Sequence, residues 1–144
     1  MSSGLDPVDE KIISILKANS REPFVEIAKD VGLSEPAVRR RVKNLLDTKT
    51  IKRFTLDLDN KNRTSAITLI SVTSTADTSA VSDALMGLNG VEVIYEITGQ
   101  YDIAAIISSS SVIEINRCID DVRRIEGVSD TNTVIVLKTI HQWF

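Results

Sequence analysis

One cysteine, Cys118, excludes an internal disulfide and the disulfide-stapled secreted scaffolds. The one histidine, His141, close to the C-terminal end, leaves no cluster for a metal and no paired general base. No apolar run approaches the roughly 18–20 residues that cross a bilayer, and the first residues lack a signal-peptide pattern. A cytoplasmic chain without a membrane partner is the expectation. Among the six glycines there is no phosphate-cradling loop and no nucleophile elbow. Asp120 and Asp121 are adjacent on a helical pattern, so they point apart and make a poor carboxylate pair. Cys118 falls on a helical apolar stripe, where a buried, inert thiol is expected. No catalytic residues, cofactor or metal are therefore expected, and enzymatic function lacks its machinery.

What is present is an uneven charge distribution. The net charge is −3, yet Arg39, Arg40, Arg41, Lys43, Lys49, Lys52 and Arg53 are opposed between positions 39 and 53 only by Asp47. From Lys61 onward, acidic residues outnumber basic ones by ten to six. One basic patch on an otherwise acidic chain points to a localised anionic partner.

The patch sits within a helical pattern. Asp6 and Pro7 open a first helix whose Val8, Ile12, Ile15 and Leu16 form one apolar stripe. A second begins near Pro23, carries Phe24, Ile27, Ala28 and Val31 on one side, and stops at Gly32. Ser34 then caps a third, with Glu35 and Pro36 in its first turn and Val38, Val42, Leu45 and Leu46 as its stripe. Only Gly32 and Leu33 separate the last two helices, so they must cross steeply, as in a helix-turn-helix.

Ile51–Leu58 alternates apolar and polar residues and predicts a strand or small ribbon, the wing of such a domain. At about 100° per residue, Arg39, Arg40 and Lys43 project opposite the apolar stripe of the third helix. That face suits the major groove, where arginine bonds bidentately to guanine. Arg39 and Arg40 are the candidate base readers. Lys43, Lys52 and Arg53 would position the protein on phosphates, with Ser34 and Glu35 at the start of the helix completing the set. Arg41 lies nearer the core edge, in a structural position.

The second half changes rhythm. Ile67–Thr73 reads as a strand; Val81, Ala84, Leu85 and Leu88 as a helix; and Val91–Thr98 as a strand with Val91, Val93, Tyr95 and Ile97 on one face. A turn at Gly99–Asp102, a strand over 103–108, a helix with Ile115, Cys118, Ile119 and Val122, and a strand near 131–137 follow. This β-α-β-β-α-β order is the ferredoxin-like arrangement. A weak internal repeat superposes Gly90-Val91 on Gly127-Val128, with Leu85 on Val122 and Leu88 on Ile125. The first strand is apolar on both sides, so the sheet face without helices needs cover, most simply a second copy of the domain. The fold class is thus α+β: a winged helix-turn-helix over 1–58, a linker at 59–64 and a ferredoxin-like domain over 65–144.

Several stretches resemble one family. They include Leu5-Asp6, Glu26-Ile27-Ala28, Val31-Gly32-Leu33-Ser34, Arg41-Val42-Lys43, Ile51-Lys52, Tyr95-Glu96-Ile97-Thr98-Gly99-Gln100-Tyr101-Asp102 and Thr131-Asn132-Thr133-Val134. In order and over nearly the whole chain, they are similar to the leucine-responsive/asparagine-responsive (Lrp/AsnC) regulators of bacteria and archaea, with archaeal members the nearest in kind. The resemblance implies a transcriptional regulator that binds a partly palindromic double-stranded DNA operator as a homodimer, or as a tetramer or octamer. It also implies an amino-acid effector near Gly99, Gln100, Tyr101 and Asp102, with Thr131 and Thr133 close by.

The chemistry is compatible: Gly99 admits a ligand carboxylate to backbone N–H groups, Asp102 suits an α-ammonium, and the threonines add hydroxyls. The same four residues also make a competent hairpin turn, and the threonines suit an ordinary strand. Two departures stand out. Lys49 occupies a position where the family has glycine, and Asn60-Lys61-Asn62-Arg63 replaces its usual proline and glycine. Trp143 and Phe144 have no assigned role; packing on a neighbouring subunit and covering their own domain are both open. The competing reading is a ligand-sensing subunit that acts through protein partners without specific DNA binding.

Overall fold

A computed structural model describes residues 4–58 and 62–140. Residues 59–61 of the expected linker and the terminal Trp143 and Phe144 lie outside the described residues. The chain divides into two compact units after Leu58.

The first unit holds three helices, α1 (Pro7–Ala18), α2 (Phe24–Val31) and α3 (Glu35–Asp47). Asp6 caps α1 by accepting from the Asp9 N–H, and Ser34 caps α3 by accepting from the Ala37 N–H at 3.4 Å. Gly32 ends α2 at φ 70° and ψ 33°, and the Leu33 N–H closes on the Ala28 carbonyl at 3.0 Å. That left-handed residue lets the N-cap of α3, Ser34, follow two residues later. Ile12, Leu16, Ile27, Ala28, Val38, Val42 and Leu45 form the buried core. Lys49 does take the left-handed conformation, φ 60°, as the chain leaves α3.

The expected strand over Ile51–Leu58 does not form within the chain: none of these residues enters a ladder. Ile51 alone folds back, its N–H donating to the Leu45 carbonyl at 2.9 Å. Beyond it the alternating segment has no neighbouring strand among the described residues to take its backbone groups, and Phe54, Leu56 and Leu58 stay exposed.

The second unit runs β1 (Thr64–Val72), α4 (Thr78–Met86), β2 (Val91–Glu96), β3 (Ile103–Ser109), α5 (Val112–Arg124) and β4 (Val128–Ile135). The antiparallel sheet has the order β2-β3-β1-β4, the ferredoxin-like topology expected. Both helices lie on one face. Val81 and Leu85 of α4, and Ile115, Cys118, Ile119 and Val122 of α5, pack on Ala66, Ile70, Ile103, Ala105 and Ile107. Fully burying each large aliphatic side chain here contributes roughly 1.5–3 kcal/mol.

The internal repeat has a backbone counterpart. Gly90 and Gly127 have φ 98° and 96°, and each precedes a valine packed on the core. After each valine the register slips by one residue, Val91 and Val93 facing consecutive residues of β3, and Val128 and Asp130 consecutive residues of β1. These bulges correct one expectation. Val91 turns to the helix-covered face with Ile94, while Val93 and Tyr95 turn to the other. That other face carries Ile67 and Leu69 of β1, Ala104 and Ile106 of β3, Val93 and Tyr95 of β2 and Val134 of β4. No described element covers it; Tyr95 is 54% exposed and Val134 50%.

Candidate nucleic-acid and effector sites

Helix α3 turns Val38, Val42 and Leu45 inward and exposes Arg39, Arg40 and Lys43. The three cations are not equivalent. Arg39 is held by an ion pair to Glu35, one turn earlier, and its guanidinium lies 5.2 Å from the centroid of the Phe24 ring. Lys43 pairs with Asp47 at 2.7 Å, which raises its pKa. Arg40, Lys52 and Arg53 are exposed and make no ion pair with a described residue. Arg41 has the structural place expected of it. Its Nη1 donates to Asp6 Oδ2 at 2.7 Å and to Asp9 Oδ1 at 2.8 Å, tying α3 to the start of α1. The Asp9 backbone N–H, then Arg41, hold the Asp6 carboxyl below the usual aspartate range.

In the second unit, the Gly99–Asp102 turn joins β2 to β3. Gly99 has φ 112° and open space around it, so backbone strain alone favours glycine there. Gln100 is exposed. Asp102 is a pin between strands: its N–H donates to the Ile70 carbonyl at 3.0 Å, and its Oδ2 accepts from the Val72 N–H at 2.8 Å. That bond falls where the β1–β4 register shifts. Tyr101 Oη accepts from the Asn132 side chain at 3.3 Å, and Asn132 faces Leu69 on the uncovered side of the sheet.

Thr131 and Thr133 lie opposite Ile70 and Thr68, on the helix-covered side. The structure thus places Tyr101 and the two threonines against different faces of the sheet. Thr133 lines a cleft of about 490 Å³ between α5 and β4, with Val112, Asn116, Ile119, Asp120, Arg123 and Ile135. Asn116, Asp120 and Arg123 were not among the sequence candidates. They sit four and three residues apart on the shoulder of the α5 stripe, and that spacing is the signal that could have found them. Asp120 pairs with Arg123 at 3.6 Å and Asp121 with Arg124 at 3.2 Å, so the adjacent carboxylates do point apart. Cys118 is buried, and its pKa is raised by that burial first and by the Asp121 charge second.

Two family models match in succession: an AsnC-type helix-turn-helix domain over residues 5–46 and an Lrp/AsnC ligand binding domain over residues 65–142. The chain belongs to the Lrp/AsnC family. It is 41% identical to the HTH-type transcriptional regulator LysM of Saccharolobus solfataricus over 143 residues, 99% of either chain. To the HTH-type transcriptional regulator FL11 of Pyrococcus furiosus it is 36% identical over 137 residues, 93% of this chain and 90% of that one. The NMB0573/L-Met complex of Neisseria meningitidis, a transcriptional regulator, shares the fold with a TM-score of 0.84 at 24% identity, covering 96% and 94% of the two chains. As an Lrp/AsnC regulator the chain combines a DNA-binding helix-turn-helix with a ligand-binding module. Among the described residues no helix is long and apolar enough to cross a membrane.

Proposed function

We propose that this chain is a cytoplasmic transcriptional repressor or activator that binds a partly palindromic operator as a homodimer or higher assembly and answers to an amino acid, without catalysis. The observation that carries the reading is the outer face of α3, where Arg39, Arg40 and Lys43 stand opposite a fully packed inner face. Arg39 and Arg40 read base edges from the major groove, and Ser34 and Glu35 stand at the end of the helix that enters it first. Lys43, Lys52 and Arg53 add phosphate contacts and a steep salt dependence.

Assembly is supported by the uncovered sheet face, whose apolar side chains extend across all four strands and which a second copy would bury. Two observations support an effector site in the second unit. One relative in fold is named as a complex with L-Met, and the cleft beside Thr133 offers one cation and one carboxylate, Arg123 and Asp120, suited to a zwitterion. Gly99, Gln100, Tyr101 and Asp102 form a second surface, and assembly could bring it from a neighbouring copy to the same ligand.

The test is a thermal-shift screen of the purified protein against the twenty amino acids, paired with operator binding across a salt series. Ligand that binds only the folded state raises the melting temperature. A shift with one or a few amino acids, and DNA affinity that falls steeply with salt, are expected. DNA binding without any shift removes the amino-acid effector. A shift without specific DNA binding favours the sensing subunit that works through protein partners.

A further inference from the structure

Arg39 and Arg40 are neighbours on the exposed face of α3, yet among the described residues only Arg39 meets an aromatic ring. That ring is Phe24, the first residue of α2. Its place is set by the first turn of the helix, where the Glu26 and Ile27 N–H groups both donate to the Pro23 carbonyl, at 2.9 and 3.1 Å. Its spacing with Ile27, Ala28 and Val31 suggests an inward stripe, but Phe24 is only half-buried while Ile27 and Ala28 are buried. Phe24 packs on the core of the helical unit, and the Arg39 guanidinium lies over its ring, Cζ 5.2 Å from the centroid. A ring packed on a core cannot follow a swinging side chain, so it acts as a fixed platform.

The two contacts of Arg39 restrict it in different ways. Glu35 takes one hydrogen of Nη2. A guanidinium has two edges that present paired donors, Nε with Nη2 and Nη1 with Nη2, and each edge uses a different hydrogen of Nη2. One edge therefore stays complete beside Glu35, and a complete edge is what a bidentate bond to guanine needs. Phe24 draws on no edge at all: its ring attracts the cation through the quadrupole and has no lone pair to claim an N–H. It narrows the positions open to the guanidinium and leaves the donors to the partner. An exposed arginine without such a hold has its full rotamer freedom to lose on binding, and it can turn equally well to a phosphate, which carries no sequence information.

Resting on the base-reading role of Arg39 above, the geometry points to Phe24 as a positioning residue for operator discrimination. Its ring restrains the Arg39 guanidinium before DNA arrives, so that the side chain meets base edges instead of swinging to the backbone. Phe24 touches no base itself. The two adjacent arginines then differ in kind, Arg39 held in advance and Arg40 ordered only on binding.

The test uses the full chain and a duplex that the wild type selects from a random pool, with a scrambled copy of that duplex as the competitor. Discrimination, the ratio of the two affinities by fluorescence anisotropy, is compared in wild type, Phe24→Tyr and Phe24→pentafluorophenylalanine, each with Arg39 and with Arg39→Ala. Fluorination keeps the ring and reverses the charge of its face, a change that a purely structural role would not register. It should lower discrimination about twofold to fivefold, the size of an exposed cation–π contact, with the scrambled-duplex affinity and the melting temperature held. Phe24→Tyr keeps the aromatic face and should discriminate like wild type, and fluorination in the Arg39→Ala background should change nothing. Wild-type discrimination in the fluorinated chain, an equal fall in the Arg39→Ala background, or a Phe24→Tyr chain as poor as the fluorinated one overturns the positioning role. If Arg39→Ala alone discriminates like wild type, or the wild type selects no duplex, the base-reading role of Arg39 fails and Phe24 has nothing to position.

Discussion

The guanidinium of Arg41 donates to the carboxylate of Asp9 at 2.8 Å and so joins the third helix to the first turn of the first. Asp6 takes the same Nη1 at 2.7 Å. Arg41 is therefore spent on the scaffold although it sits between two exposed basic residues. Arg41→Ala should lower the melting temperature of the helical unit. Its residual operator affinity, measured well below that temperature, should keep its sequence preference.

The same contact sets an acid limit. Asp6 has a pKa below its ordinary value because the Asp9 N–H and Arg41 favour its ionised form. A depressed folded-state pKa contributes stability that is fully present above the unfolded value, about 3.9, and lost as pH falls through the folded one. Unfolding of the helical unit followed from pH 6 down to pH 2 should show this loss below about pH 4. Asp6→Asn should be less stable at pH 6 and have a flatter acid limb; an unchanged limb would remove Asp6 from the account.

On α3, Arg40 makes no ion pair with a described residue, while Arg39 is held by Glu35 and Phe24. Replacing either arginine by alanine should weaken specific binding about tenfold to a hundredfold and relax discrimination, with assembly intact. Glu35→Gln should tighten binding by releasing Arg39 and removing a charge that repels phosphate. Lys52→Ala should weaken all sequences alike and reduce the salt slope by about 1. Fluorescence anisotropy with operator and scrambled duplexes separates these outcomes.

Backbone strain gives opposite predictions at two positions. Lys49 is left-handed at φ 60°, so Lys49→Gly should stabilise by about 0.5–1 kcal/mol in urea unfolding. Gly127 has φ 96°, and an added Cβ would lie 2.7 Å from Ala76 Cβ and 3.0 Å from Val81 Cγ2. Gly127→Ala should cost about 2–4 kcal/mol, strain and overpacking together.

Asp102 carries a structural bond as well as its proposed effector role. Asp102→Ala strands the Val72 N–H and should destabilise the second unit by about 1–3 kcal/mol. Asp102→Asn keeps an acceptor oxygen and should recover most of that. If Asn restores stability but not amino-acid binding, the charge of Asp102 serves the ligand.

The helix-turn-helix was legible in the sequence because its signals are local. Caps at Asp6 and Ser34, the stop at Gly32 and the spacing of Val38, Val42 and Leu45 each act within a few residues. The β-α-β-β-α-β order was legible for the same reason. The wing was misread because alternation indicates a strand only when a partner strand exists, and Phe54, Leu56 and Leu58 have none among the described residues. Val91 was placed on the wrong face because a one-residue bulge reverses every side chain before it, and no residue type announces that slip.

By itself the sequence determined the three helices of the first unit with their caps, the order of helices and strands in the second, and that one helix presents arginines outward. Only tertiary structure decided which of those arginines is already engaged, that Asp102 holds the end of β1, and that Thr133 shares a cleft with Asn116, Asp120 and Arg123. The reason is one of range. Caps and periodicity are set by neighbours in the chain, whereas Thr68 and Thr133 meet across 65 positions through a strand pairing that the whole domain must form.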